Sequence, residues 1–247
     1  MRAAAAFKPY LSTFIGTPNY LGVPKGQLSC DDVAELPKSA TIVDLERPFR
    51  NIELLPQFPR ITRISLSEWN DDWIKLLAKL PNLRQLDLSF LKVESLPPFK
   101  PLKALRVLVL YALKKLKSLE FLRGASGLHS LGLSEVMSAN DLAPLATLKE
   151  LRELDIDGTL FKAKWIESLE PLRNLKHLRY LSLASRINPQ YRSLRPLGGL
   201  KELRHLTLSE KFSPEEKNWL LARLPKLKVI NRDWADQWPT PSGAIDD

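Results

Sequence analysis

Residues Asp141–Ile156 read DLAPLATLKELRELDI, and the same phrase returns four more times along the chain. The copies are Ser95–Leu110 (SLPPFKPLKALRVLVL), Ser118–Leu133 (SLEFLRGASGLHSLGL, the loosest), Ser168–Leu183 (SLEPLRNLKHLRYLSL) and Ser193–Leu208 (SLRPLGGLKELRHLTL). In each, a Ser or Asp precedes by ten residues the first Leu of a closing L-x-x-L-x-L. A gap-free repeat of this period means stacked units that share one core, because a single unit cannot bury its own apolar face.

Numbering each unit from the first Leu of its triplet, starts fall at Ala40, Ile61, Leu83, Leu105, Leu128, Leu151, Leu178 and Leu203, with a truncated ninth at Leu227. The spacings are 21, 22, 22, 23, 23, 27, 25 and 24 residues. Positions 4 and 6 alternate with polar residues, the period-2 sign of a strand with one buried face. Between strands, Ser or Asp before Leu-x-Pro-Leu predicts a side-chain cap and a short helical turn, with Pro in its first turn. Two returns are long enough for true helices, Asn70–Leu80 and Ser213–Leu224. In the second, Ser213 and Glu216 form a capping box, with Pro214 at the first helical position.

This pattern resembles the leucine-rich repeat family, and within it the internalin-like and protein-phosphatase-1-regulatory-subunit-like group with repeats near 22 residues. The resemblance covers roughly residues 39–230. It implies an α/β fold: a right-handed curved solenoid with a parallel sheet on the concave face and short helices and turns on the convex face. Family repeats carry Asn, or in some repeats Cys or Thr, at position 9, where the side chain bonds neighbouring backbone; in this chain only Thr159 could substitute. Here that position holds Trp69, Leu91, Leu113, Val136, Thr159, Arg186 and Lys211. Without the asparagine ladder, buried backbone groups at these turns need other partners.

The array predicts a single solenoid domain over 1–247. Residues 1–38, broken by Pro and Gly yet apolar, are read as an N-terminal cap, with a short helix at Ser29–Leu36 capped by Ser29. Repeats fill 39–212. Residues 213–238, with Trp234 and Trp238, close the other end, and 239–247 form a mobile tail. The N-terminus does not read as a signal peptide, because Lys8 and Pro9 interrupt the apolar stretch. No run of about 18 apolar residues marks a membrane span. Cys30 is the single cysteine, so no intramolecular disulfide is possible; that fits a reducing, cytoplasmic setting and a monomer without membrane attachment.

Of the 247 residues 37 are Lys or Arg and 28 Asp or Glu, a formal net charge of +9. The charge is not spread evenly. Positions 3, 5, 7 and 8 of each unit point to the concave face. They carry the acidic residues Asp44, Glu46, Glu68, Asp87, Glu135, Glu153, Asp155, Asp157 and Glu210, against Arg47 and Arg63: nine minus two, or −7. Apolar and aromatic residues sit among them: Phe90, Val107, Val109, Tyr111 and Tyr180, with His205 near the end. Such a centre ringed by charge resembles a binding hot spot. Eight strands about 4.8 Å apart make a surface roughly 34 Å across, suited to a helix or small domain. The expected function is therefore a non-catalytic scaffold or adaptor that binds a protein with a basic, partly apolar surface.

Two alternatives stand beside it. The first is a nucleic-acid or acidic-surface binder: position 2 carries Arg84, Arg106, Arg152, Arg179 and Arg204 with His129, backed by Lys103, Lys149, Lys176 and Lys201, a row able to track phosphates. Another edge carries Lys92, Lys114, Lys115, Lys117, Lys162, Lys164, Arg186 and Arg192. The row equally suits cations at the ends of the returns, where carbonyls are left over. The second alternative is an exported effector or recognition protein. No cofactor or metal is expected, since His129, His177 and His205 lie on different repeats without ligand spacing. Asp155 and Asp157 share a face about 7 Å apart, yet an open sheet gives them no pocket for acid–base work.

Overall fold

The computed structural model describes residues 26–158 and 162–231. Its strands are β1 (Gln27–Asp32), β2 (Ile42–Arg50), β3 (Arg63–Leu66), β4 (Gln85–Ser89), β5 (Val107–Tyr111), β6 (Ser130–Ser134), β7 (Glu153–Asp157), β8 (Lys164–Ile166), β9 (Tyr180–Ile187), β10 (His205–Leu208) and β11 (Lys228–Asn231). They form one sheet in chain order, with every pairing parallel; β8 alone leaves the path and pairs only with β9. All nine triplets found in the sequence are strands. In the Asp141–Ile156 unit, Leu142, Leu145, Leu148, Leu151, Leu154 and Ile156 are all fully buried. At about 1.5–3 kcal/mol for each such side chain, this is where the stability of the unit lies.

A second regularity was not visible in the spacing. The backbone carbonyl at position 2 accepts two N–H groups from the next unit. Arg84 O accepts from Arg106 N (2.8 Å) and Val107 N (2.9 Å), and His129 O from Arg152 N (2.8 Å) and Glu153 N (3.0 Å). Arg152 O takes Arg179 N and Tyr180 N across the longest repeat at 2.7 and 3.1 Å. The register thereby stays fixed although the returns differ in length.

Those returns are mostly short 3₁₀ turns, capped where expected. Asp141 Oδ1 accepts from Ala143 N at 2.7 Å, Ser168 Oγ from Glu170 N at 2.9 Å, and Ser193 Oγ from Arg195 N at 3.1 Å. Helix α1 spans only Trp73–Leu77, because both flanks tighten into i→i+3 bonds (Trp73 N to Asn70 O, Leu80 N to Leu77 O). Helix α2 (Pro214–Arg223) starts as predicted, Ser213 Oγ accepting from Glu216 N at 3.3 Å. The reciprocal half of the capping box is diverted. The Glu216 carboxylate instead accepts from Ser193 Oγ (2.8 Å) and Leu194 N (2.9 Å), tying the helix to the preceding turn.

Three expectations are corrected. Residues 27–32 are a strand, not a helix capped by Ser29; Leu28 and Cys30 turn to the core on alternate positions, and the helical turn is only Val33–Glu35, capped by Asp32 through Ala34 N at 2.9 Å. The 27-residue repeat makes room for β8, which no triplet announced. The third concerns the missing asparagines. Leu91, Leu113 and Val136 form a buried apolar column at position 9. The adjoining position 8 does the polar work: Phe90, Ala112 and Glu135 adopt φ of 59°, 58° and 56°. Their N–H groups then donate to Tyr111 O, Ser134 O and Asp157 O at 2.9, 2.9 and 3.2 Å. Residues 1–25, including most of the expected N-terminal cap, lie outside the described residues, as do Thr159, Trp234, Trp238 and the 239–247 tail.

Because the ladder is already made by backbone, restoring the family residue costs stability. Leu113→Asn places a polar amide in an apolar column and removes a packed Leu, so unfolding free energy should fall by about 3 kcal/mol or more. Urea denaturation of the two proteins measures this, and an equal or higher midpoint would contradict the backbone-ladder account.

Candidate functional site

Parallel register sets the concave face row by row. Across position 5 run Asp44, Ser65, Asp87, Val109, Gly132, Asp155, Ser182 and Thr207. Tyr111 on β5 lies between Ser89 and Ser134, so small neighbours leave its ring room. The Phe90 ring meets it edge-on, with centroids 5.1 Å apart and planes at 84°. Phe90 is 54% exposed. Val107, Val109 and Tyr111 are partly exposed beside it. The predicted aromatic centre is thus assembled, and its geometry suits a contact surface.

The acidic residues divide into classes. Glu46 is exposed, and Asp44, Glu68, Asp155 and Asp157 are partly exposed. Asp44 accepts from Gln27 Nε2 at 3.1 Å, and its carboxyl is pushed up from the ordinary 3.8, by burial first and by Glu46 second. Asp87 is tied to Arg63 at 2.6 Å, with only 15% and 17% of their side chains exposed. Burial pushes its carboxyl up; the Arg63 charge and hydrogen bonds from Gln85, Arg63 and Ser65 oppose the shift. Rim cations bend in, Lys114 meeting Glu135 at 3.2 Å and Arg192 meeting Glu210 at 3.2 Å, so the face is less acidic than its own residues alone make it.

Several expected contact residues face the right way but are closed off. Glu153 is fully buried and accepts from Ser130 Oγ at 2.9 Å; Tyr180 is 8% exposed, and its ring lies 6.2 Å from that of His205, which stays partly exposed. Glu153 and Tyr180 are register partners on β7 and β9, so the two largest side chains at position 3 there shield each other. The acidic surface that a partner would meet is therefore Asp44, Glu46 and Glu68 on one side of the aromatic centre, and Asp155 and Asp157 on the other.

The arginine row is used locally. Arg106 Nη1 donates to Lys103 O (3.0 Å) and Leu105 O (2.8 Å), and Arg204 Nη1 to Lys201 O (2.8 Å) and Leu203 O (3.2 Å). Arg179 pairs with Glu202 at 2.9 Å, and Arg84 reaches Ala104 O at 3.5 Å. Arg152, in the same row, is partly exposed. Arg84, Arg106 and Arg204 thus reach backbone carbonyls near the ends of the returns, and Arg179 reaches an acid. Glu202 also contacts His177 Nδ1 at 3.0 Å, and both neighbours hold its carboxyl below the usual range, the His177 hydrogen bond most.

Lys164 is the largest correction on the other edge. It is fully buried, its Nζ donating to Val136 O (2.5 Å) and Ala139 O (2.6 Å). Nothing in its spacing distinguished it from Lys162, since burial follows from β8, which the triplets did not reveal. The sequence also gave no sign that Trp69 and Trp73 come together beside Phe90. They line an open cavity of about 500 Å³ at the edge of the concave face. Among the described residues no helix is long and apolar enough to cross a membrane.

No family model matches the sequence, and no curated protein matches it. Solved structures do. An internalin from Listeria monocytogenes is similar over 79% of this chain and 56% of its own, at 18% identity with a TM-score of 0.55. TLR13, solved as a complex with ssRNA13, is similar over 76% of this chain and 35% of its own, at 19% identity with a TM-score of 0.50. The chain thus spans little more than half of the first of these proteins and about a third of the second. With the continuous parallel sheet, these likenesses establish the leucine-rich-repeat solenoid fold.

Burial holds the Lys164 ammonium down to about 8, against an ordinary 10.5. The unfolded chain keeps that proton more tightly, so stability should rise with pH between those values and lose that increment as pH falls back to 8. Denaturation of the native protein and Lys164→Met at pH 7.5 and 9.5 checks this. The variant, with two carbonyls left unpaired, should be less stable at both pH values and lack the native rise; an equal rise in both proteins would refute the assignment.

Proposed function

We propose that this protein is a non-catalytic scaffold or adaptor whose concave face docks a basic, partly apolar protein surface. The observation that carries this reading is the Phe90–Tyr111 pair, an aromatic centre on the open sheet with acidic groups on either side. An exposed Phe on a Tyr costs solvation without a partner and supplies a desolvated anchor with one. The surrounding carboxylates would steer a cationic surface and set its register rather than provide most of the affinity. The lone cysteine supports a reducing, cytoplasmic setting. TLR13 is solved with an RNA, which keeps the arginine row in view as a phosphate track. Against that use, Arg106 and Arg204 already bond carbonyls and Arg179 an acid.

A lysine/leucine amphipathic 20-residue peptide, read by fluorescence anisotropy, tests the proposal alongside its glutamate/leucine counterpart and mixed single-stranded nucleic acid. The basic peptide should bind and largely survive 0.5 M salt, and Asp155→Lys/Asp157→Lys and Tyr111→Ala should each weaken it about tenfold or more. The Asp44 contribution to that affinity should be lost at a higher pH on acidification than an ordinary aspartate's, because burial raises its carboxyl; comparison with Asp44→Asn isolates it. Binding that the acidic-to-lysine variant leaves intact would sink the concave-face assignment. Nucleic-acid binding lost at 0.5 M salt would favour the rim instead.

A further inference from the structure

The cavity beside Phe90 shares Arg47, Glu68 and Phe90 with the edge of the concave face but adds Trp69, Trp73, Lys92 and Val93, which lie outside it. Trp69, Trp73, Phe90 and Val93 supply its apolar wall, and Arg47 and Lys92 stand at its mouth. Its volume of about 500 Å³ lies in the range of ordinary small-ligand sites.

The wall is rigid for reasons that can be traced. Trp73 packs on Phe49 at 5.1 Å and on Trp69 at 6.4 Å, and Trp69 in turn on Phe99 at 6.0 Å. Phe99 is fully buried and stacks edge-on against Phe121 at 4.9 Å, so the row of rings is anchored in the core. The Trp69 indole N–H is committed to Asp71 Oδ1 at 2.9 Å, which fixes that ring's rotation. On the other side, the Phe90 N–H bond to Tyr111 O and a φ of 59° set the direction of its side chain. Ala112 and Glu135 share that backbone geometry, so it comes from the fold; what is particular here is the aromatic side chain placed on it.

The charge at the mouth narrows the occupant. Arg47 bonds Ser67 Oγ through Nε at 3.2 Å, and among the described residues neither Arg47 nor Lys92 forms an ion pair. Glu68 also borders the cavity, leaving the lining at a net +1. A guanidinium with its outer nitrogens available binds a carboxylate in two parallel hydrogen bonds, and partly exposed aromatic rings receive another ring edge-on or tilted. We propose that this cavity is a binding site for a peptide group in which an aromatic side chain lies next to a carboxylate. The ring enters between the packed Trp69–Trp73 pair and Phe90, and the carboxylate meets Arg47 and Lys92. The site does not depend on the docking of a basic surface on the sheet, and a single partner can use both.

The test uses the full chain with ¹⁵N-labelled tryptophan. Four probes are titrated: N-acetyltryptophan, acetyl-Asp-Trp-amide, N-acetyltryptophanamide and tryptamine. The Trp69 and Trp73 indole signals, assigned by Trp→Phe substitution, should shift, with at least one carboxylate probe saturating at a concentration fivefold or more below the amide and tryptamine. Arg47→Gln/Lys92→Gln should erase that preference, and Phe90→Ala should weaken every probe about tenfold while the other indole signals stay in place, showing the fold intact. Tighter binding of N-acetyltryptophan assigns the carboxylate to a chain terminus; tighter binding of acetyl-Asp-Trp-amide assigns it to an acidic side chain. Absence of shifts at these two indoles, equal affinity for tryptamine, or a preference that survives Arg47→Gln/Lys92→Gln would overturn the proposal. The Trp69 and Trp73 indole shifts and the loss of preference in Arg47→Gln/Lys92→Gln do not report on Asp155, Asp157 or Tyr111, so failure here is separate from failure of the docking reading; Phe90→Ala alone bears on both.

Discussion

A single carbonyl oxygen taking two N–H groups is the contact through which each unit of this protein holds the next. It recurs from Thr41 through Thr62, Arg84, Arg106, His129, Arg152 and Arg179, with one of the two bonds kept at Arg204. The two bonds come from backbone N–H groups, with Thr62 Oγ1 adding a third at Thr41 O (3.0 Å), so position 2 accepts residues of different kinds. The position is consequently available for cations that turn back to cover the carbonyls of the returns. With the strand starts locked in this way, a return of any length can leave the sheet and rejoin it in register. The concave face inherits its order from that lock: Asp44, Asp87 and Asp155 share one row because the carbonyls upstream of them do.

The sheet's exit side follows a different logic. There the left-handed conformation of Phe90, Ala112 and Glu135 turns each N–H towards the next strand, and the position after it is free to be Leu or Val. An apolar column replaces an amide ladder, and buried backbone polarity is satisfied either way. The substitution also changes what the edge can display. A side chain at φ near 60° projects from the edge of the sheet; at Phe90 that projection makes one wall of the aromatic cavity, and at Glu135 it brings a carboxylate to Lys114.

Much of this was legible from the residues alone. The leucine triplets located nine strands and the Ser/Asp caps, because a period-2 pattern repeated at a fixed offset has one structural solution. Face assignment by alternation brought Phe90 and Tyr111 together. Three features escaped that reading for distinct reasons. β1 carries only Leu28 and Cys30 as its alternation, too short a pattern to outweigh the Asp and Glu that follow. Glu153 lies on the expected face, but exposure depends on what its register neighbours do, and Tyr180 is a whole repeat away in sequence. Lys164 looked like any surface lysine, since only the presence of β8 encloses it.

β8 changes more than the surroundings of one lysine. β9 is joined to β7 along its first half and to β8 along its second, so it carries two strand pairings on one side, the second running from Ser185 to Ile187. An array held by nearest-neighbour contacts opens from its ends, one unit after another. A doubly stitched joint with a buried lysine bracing its carbonyls interrupts that progression. Opening the sheet at β9 therefore costs two sets of ladder bonds, and the acidic pair Asp155 and Asp157 sits on the strand beside that joint.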